Sequence, residues 1–248
     1  MCARRRNYGS ENSYTGKVIC DETPFAVTEA FKTLRANLMF SSAGEDCPVF
    51  GTTSAYSDSG KSVITANAAV SFAYLDKKVL LIDGDMRKPV QHRIFGRENR
   101  HGLSELLSCG KSQDMAEVFE KSVIHGVVPG LDLIPCGKIP PNPSELMSSD
   151  NMRRLIEYAK ENYDVVFIDF PPICNVSDAG VVAELITGYM IVVRSGDTDK
   201  RAVTSAVEQM NQMKAKIIGF VLNDVNLKTD GTYAGRYSRY YRSYGSKQ

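Results

Sequence analysis

Gly60-Lys61-Ser62 follows a short β-prone run, Pro48 to Ser54, and opens a helix-compatible stretch from Lys61 to Leu75. Glycine, lysine and a hydroxyl residue in that order between strand and helix suit a phosphate. The glycine lets the backbone approach an anion. The N–H groups of Ser59, Gly60, Lys61, Ser62 and Val63, at the helix start, can cradle it. Lys61 would reach the β- and γ-phosphates of a bound triphosphate, and Ser62 would ligate Mg2+. A chance Gly-Lys-Ser in a polar loop is the competing reading, and the flanking strand and helix weigh against it. The pattern G-x-x-x-x-G-K-[ST] has Ala55 in place of its first glycine. Asp58 also puts a carboxylate into a loop meant for a polyanion. Like charges about 4 Å apart repel by roughly 1 kcal/mol in water, and by several times that in a half-buried site. Aspartate tolerates left-handed backbone better than most residues, so the quantity at risk is affinity rather than the loop itself.

Two further clusters suit the same chemistry. Lys78 to Pro89 places Asp83 and Asp85 at the end of an apolar run, 22 and 24 residues beyond Lys61. Alternation along a strand sends both carboxylates to one side, where they could serve a metal ion and accept a proton. An Asx turn capping the next helix is the alternative. Asp164 to Pro172 ends a second such run at Asp169, whose type and place suit Mg2+, held directly or through water; a solvated strand end is the bland reading. Three acids and a Gly-Lys-Ser at three strand ends make coincidence at all of them improbable.

The elements that must position these residues read as alternating strands and helices. Apolar runs lie at Pro48 to Ser54, Lys78 to Asp83, Leu131 to Pro135, Asp164 to Asp169, Tyr189 to Val193 and Lys216 to Leu222. Most are continuous Val, Ile and Leu, as in strands buried on both faces of a parallel sheet. Helices are expected over Lys61 to Leu75, Asn151 to Glu161, Ser177 to Ile186 and Lys200 to Met213. The pattern predicts a doubly wound α/β fold, with its ligand at the carboxyl ends of the strands. The expected organisation is a flexible polar segment over 1–23, one domain over 24–227 and a separate tail over 228–248.

The 248 residues carry a formal charge of +1, which argues against nucleic acid as partner. The tail departs from that balance. Its 21 residues hold five basic side chains, one acid and five of the twelve tyrosines. The start, with Arg4 to Arg6, lacks the apolar stretch of a signal peptide. No apolar run approaches the roughly 20 residues of a membrane helix, so direct membrane insertion is not expected. Six dispersed cysteines without a CxxC read as reduced thiols of a cytoplasmic protein.

Together these segments resemble the Walker A, A′ and B motifs of bacterial tyrosine kinases. The resemblance is to the CpsD/CapB-type capsular exopolysaccharide family, within the MinD/ParA-like P-loop ATPases. It is carried by Ser54 to Ser62, by Leu-Leu-Ile-Asp-Gly-Asp-Met-Arg-Lys-Pro and by Phe-Ile-Asp-Phe-Pro-Pro. Further matches are Pro135 to Leu146, Ser177-Asp178-Ala179, Val192 to Gly196 and Gly219 to Asn223, so the likeness runs from about Glu29 to Asn223. The phosphate loop is the poorest match, because the family usually has Pro-Gly where Ser57-Asp58 stand.

The resemblance implies ATP and Mg2+ as cofactors. Lys61 and Ser62 would bind the phosphates and the metal, and Asp83 and Asp169 would hold the metal and its waters. Asp83 or Asp85 would take the proton of an attacking tyrosine. Arg87 would pair with an acid and order the site, and Asn223 would contact adenine. It also implies autophosphorylation of Tyr233, Tyr237, Tyr240, Tyr241 and Tyr244 between subunits of a homo-oligomeric ring. Glu29, Lys32 and Arg35 resemble the family's E-x-x-R-x-x-R oligomerisation motif, with Lys32 in place of an arginine; by spacing alone they read as the solvated face of an amphipathic helix opposite Phe31, Leu34 and Leu38. The implied setting is the inner face of the plasma membrane, reached through a transmembrane polysaccharide co-polymerase-type activator and opposed by a cognate tyrosine phosphatase. Two other readings stand beside this one: a catalytically impaired, nucleotide-responsive scaffold, motivated by Asp58, and a positioning ATPase of the same fold. Against the latter, Ala55 to Ser59 contains no lysine.

Overall fold

In chain order the elements are α1 (Phe25–Ser41), β1 (Val49–Ser54), α2 (Lys61–Ala73), β2 (Val79–Asp83), α3 (Gln91–Ile94), α4 (Leu103–Leu107), α5 (Met115–Ser122), β3 (Ile124–Val128), β4 (Leu131–Ile134), α6 (Pro143–Met147), α7 (Asp150–Asn162), β5 (Val165–Asp169), α8 (Asp178–Val181), a 3-10 turn (Ala183–Leu185), β6 (Gly188–Arg194), α9 (Lys200–Gln212) and β7 (Ile217–Asn223). They come from a computed structural model that describes residues 17–110 and 112–225. Arg4 to Arg6, the tail over 228–248 and its five tyrosines lie outside the described residues.

One seven-stranded sheet has the order β3-β4-β2-β5-β1-β6-β7. Every pairing is parallel except β3 with β4 at one edge. All residues of β1, β2 and β5 are buried, as their unbroken Val, Ile and Leu runs predict. Alternation divides the core in two. Phe50, Val79, Leu81 and Phe167 pack beneath Leu38 of α1 and the alanine-rich α2. Leu80, Ile82, Val166 and Ile168 pack on the opposite face with Leu155 of α7 and Met210 of α9. The doubly wound expectation is therefore met.

Differences from the sequence reading have local causes. The helix expected over Ser177 to Ile186 is two short pieces, α8 and the 3-10 turn. Gly180, Val181 and Val182 are poor helix formers, and the Asp178 side chain is taken by Arg87 rather than capping. Strand β3 and the short helices α3, α4 and α6 carry too few residues to show a period, whereas α5 does carry one, with Met115, Val118 and Phe119 on its inner face, which the sequence reading missed. Within the segment expected to be flexible, Lys17 to Cys20 pack on α2, with Ile19 buried. The Asn67 amide holds it, accepting from the Ile19 N–H at 2.7 Å and donating to the Lys17 carbonyl at 2.8 Å. Cys20, Cys47, Cys109, Cys136 and Cys174 are unbridged thiols, and burial pushes Cys47 up to about 11 and Cys136 to about 12.

Gly51 shows how tightly the sheet centre is filled. A Cβ there would lie 2.5 Å from the Tyr189 ring and 3.1 Å from that of Phe170, and both rings are fully buried. Gly51→Ala is therefore expected to cost about 1–3 kcal/mol through overpacking. A urea titration should show a lower midpoint at unchanged slope.

Candidate functional site

The carboxyl ends of β1, β2 and β5 lie side by side. Thr52 pairs with Asp169, and Asp169 pairs with Asp83, in consecutive registers. In-register neighbours of parallel strands face the same way, so these side chains form one row beneath the start of α2. Asp85 lies two residues past the end of β2 and meets the same group.

Lys61 crosses this row. Its Nζ is 2.8 Å from Asp85 Oδ2 and 3.2 Å from Asp169 Oδ1, and all three residues are buried. Burial works against the lysine charge, but Asp169 and Asp85 outweigh it and hold the proton more tightly than usual. Asp83 is driven the other way. Burial, then repulsion from Asp169, raises its pKa well above the carboxylate range, despite a backbone bond from Gln91 and the pull of Lys61. Asp169 is also raised by burial, with Lys61, the Ser62 hydroxyl and Gln91 opposing.

Asp83 and Asp85 divide the work that their sequence allowed. Asp83 Oδ2 accepts the N–H groups of Val90 and Gln91 at 3.1 and 2.9 Å, capping α3. Asp85 Oδ1 accepts those of Arg87 and Lys88 in an Asx turn, leaving Oδ2 on Lys61. Turn-forming and site-forming roles thus coexist. Arg87 does pair with an acid: Nε and Nη2 reach the two oxygens of fully buried Asp178 at 3.1 and 3.3 Å, and Nη2 also reaches Ser144 Oγ at 3.2 Å.

The phosphate loop is held in its required shape from outside. Asp58 has φ 64° and Gly60 has φ 83°, both left-handed. A Cβ at position 60 would stand 2.2 Å from Asn223 Nδ2, so only glycine fits. Asn223, at the end of β7, donates to the Ser59 carbonyl at 3.0 Å. Arg194, at the end of β6, reaches the Asp58 carbonyl at 3.4 Å and grips Asp224 at 2.9 Å. The Asp58 carboxylate is exposed at a cleft of about 340 Å³, which Gly60, Lys61, Ser62, Val63, Asp85 and Arg87 also line. Ser59 is buried behind it.

Sequence reasoning did not single out Gln91, Thr52, Ser144 or the role of Asp178. Gln91 is fully buried and donates to Asp169 Oδ2 at 2.9 Å and to the Ser62 carbonyl at 3.0 Å. Its place just after the Asp-Met-Arg-Lys-Pro run was the only available signal. Asp83 Oδ1, Gln91 Oε1 and Thr52 Oγ1 are buried without a hydrogen-bond partner among the described residues. The orphaned oxygen on Asp83, beside Asp169 and the Ser62 hydroxyl, is a hard donor set that fits Mg2+. Among the described residues no three His, Cys, Asp or Glu side chains form a metal cage by themselves.

Glu29, Lys32 and Arg35 stand apart from this site. Glu29 and Lys32 form an ion pair of 2.6 Å on the outer face of α1. Arg35 donates to the Ser71 carbonyl of α2. Leu38 is buried, while Phe31 and Leu34 are partly buried on the core, as the helical spacing predicts.

The raised carboxylates set a pH dependence. A group that binds its proton more tightly when folded supports stability below its unfolded pKa, and that support fades as pH rises through the folded value. For Asp83 and Asp169 the loss begins near pH 4 and continues upward. Asp83→Asn keeps an oxygen for the Val90 and Gln91 N–H groups and removes the charge. In metal-free, nucleotide-free protein it is expected to gain about 1–3 kcal/mol over the parent between pH 4 and pH 8. Urea titrations across that range test it; parallel curves would contradict the raised pKa.

The family model described as the CobQ/CobB/MinD/ParA nucleotide binding domain matches residues 50–238. The tyrosine-protein kinase YwqD of Bacillus subtilis (strain 168) is 38% identical over 232 residues, covering 93% of this chain and 94% of that protein. The tyrosine-protein kinase etk of Escherichia coli (strain K12) is 36% identical over 214 residues, covering 86% of this chain. The match spans only 29% of that relative's length. Among solved structures, the kinase domain of Escherichia coli tyrosine kinase ETK superposes with a TM-score of 0.74 at 37% identity, covering 80% of this chain and 75% of that one.

Proposed function

This chain belongs to the bacterial tyrosine kinases built on the CobQ/CobB/MinD/ParA nucleotide-binding domain, and on that premise we propose that it is an ATP-dependent protein-tyrosine autokinase acting on its own C-terminal tyrosines. The observation that carries this reading is the buried contact of Lys61 with Asp85 and Asp169 at the mouth of a glycine-bearing loop. Phosphoryl transfer needs positioning and charge neutralisation more than covalent chemistry, and these side chains provide both.

Triphosphate oxygens would compete with the two acids for the Lys61 ammonium, while the N–H groups from Ser59 to Val63 hold the phosphates at the start of α2. Ser62, Asp83 and Asp169 would hold Mg2+, which when bound neutralises charge on the transferring phosphoryl group. Asp85 is the better placed of the two candidate proton acceptors. It lines the cleft, whereas Asp83 is fully buried behind Gln91 and α3. Once phosphates draw Lys61 away, Asp85 Oδ2 is open to a tyrosine hydroxyl, and the Asx turn keeps Oδ1 in place. Arg87, clamped on Asp178, fixes that turn. Asn223 acts first as a brace on the loop, and adenine would lie beyond it.

The acceptors would be Tyr233, Tyr237, Tyr240, Tyr241 and Tyr244. Their basic surroundings draw the tail to an acidic site, and each phosphate added cancels part of that attraction. Transfer between subunits of a homo-oligomeric ring would use α1, whose Glu29, Lys32 and Arg35 flank exposed Val27, Met39 and Phe40. The names of relatives, CapB of Staphylococcus aureus and wzc of Salmonella typhi among them, support a role in capsular or exopolysaccharide synthesis. We place the chain on the cytoplasmic side of the membrane with a transmembrane co-polymerase-type activator and a cognate phosphatase. Among the described residues no helix is long and apolar enough to cross a membrane.

Mass spectrometry of the tail after incubation with Mg-ATP tests the reading. The parent chain, supplied with an activator, should carry phosphotyrosine within 233–244, and Lys61→Met should carry none. Tail phosphate that survives Lys61→Met would overturn the proposal. Asp58→Gly retains the left-handed backbone without the carboxylate. It is expected to tighten ATP binding roughly fivefold, the equivalent of about 1 kcal/mol of repulsion, as read by calorimetry.

A further inference from the structure

The strap formed by Lys17 to Cys20 reaches the nucleotide cleft through Lys17, outside the phosphate loop and the acid clusters. Lys17 lines that cleft together with Asp58, Gly60, Lys61 and Val63. Its backbone is built into the fold. The Asn67 side chain, 2% exposed, holds the Lys17 carbonyl and the Ile19 N–H, and donates in turn to the Val63 carbonyl at 2.9 Å. The Tyr74 hydroxyl donates to the Ile19 carbonyl at 3.0 Å, and the Ile19 side chain is buried. Asn67 stands six residues beyond Lys61, about 9 Å along the axis of the helix that begins at the phosphate loop. The strap therefore keeps a set position relative to any phosphate bound there.

Charge gives this placement a purpose. Four cations line the cleft, Lys17, Lys61, Arg87 and Lys88, and of these Lys17 alone comes from the strap. A nucleoside triphosphate brings several negative charges to a loop that already presents the Asp58 carboxylate. We propose that Lys17 is a phosphate-binding residue of this nucleotide site, offsetting Asp58, and that Asn67 is the positioning residue that presents it. The inference rests on the ATP-dependent reading above and adds a contact from outside the loop.

Equilibrium binding of ATP and adenosine to the full chain, measured by calorimetry, tests it. Lys17→Ala is expected to weaken ATP roughly tenfold, the size of one partly screened charge contact, and to leave adenosine unchanged. Lys17→Arg should restore most of the loss. Asn67→Ala should reproduce it with the lysine present, and the double variant should be no weaker than Lys17→Ala alone. Unchanged ATP affinity in Lys17→Ala, or equal losses for ATP and adenosine, would overturn the proposal. So would additive losses in the double variant, because the strap would then act otherwise than through Lys17. If ATP binding depends on Lys17 but the tail is never phosphorylated, the kinase reading fails and this inference stands. If the parent chain binds no ATP, both fall.

Discussion

The Lys61 ammonium, drawn out of water and held between Asp85 and Asp169, is the contact on which the rest of the site depends. Removing one partner from such a buried group typically costs about 3–5 kcal/mol, because the remaining charge is left uncompensated. The helix behind the loop, the end of β5 and the turn after β2 are therefore tied to one another. With Asp83 beside Asp169, acids outnumber the single lysine here. Burial and mutual repulsion therefore push Asp83 and Asp169 toward their protonated forms. A site in that state is poised to receive cations, and it gives up stability for that readiness.

The surroundings are arranged to keep the acids from relaxing. Gln91 spans Asp83 through its backbone and Asp169 through its amide. Arg87 reaches from the Asx turn of Asp85 to Asp178, and Ser144 Oγ donates to that same carboxylate at 2.5 Å. Three segments distant in sequence thus converge on one buried carboxylate. The phosphate loop is braced separately, by Asn223 and Arg194 on consecutive carbonyls. These braces show how Asp58 is accommodated: the left-handed backbone is supported, and the carboxylate points to solvent. The departure from the family pattern leaves the loop intact and acts on ligand charge.

Outside the site, the molecule follows the physics of a doubly wound sheet. Its central strands are sealed on both faces, so their ends are the natural place for polar side chains to emerge. The α1 helix keeps an apolar stripe on the core and an ion-paired outer face, with Phe40 82% exposed at its end.

The sequence by itself determined the architecture and most of the chemistry. Continuous apolar runs suit strands buried on both faces, as in β1, β2 and β5, although the edge strand β7 keeps such a run partly exposed, and Gly-Lys-Ser with three strand-end acids names a phosphate site from residue types alone. Periodicity could not reveal β3, the one-turn helices α3, α4 and α6, or the break after Val181, because such short pieces carry no period. Nor could it tell Asp83 from Asp85, since alternation puts both on one side. Only the fold, by burying one under Gln91 and leaving the other at the cleft, separates them. Gln91, Asp178 and the Lys17 strap stayed hidden for the same reason. Their roles come from which distant backbone and side-chain groups need a partner once water is excluded, and only tertiary packing decides that.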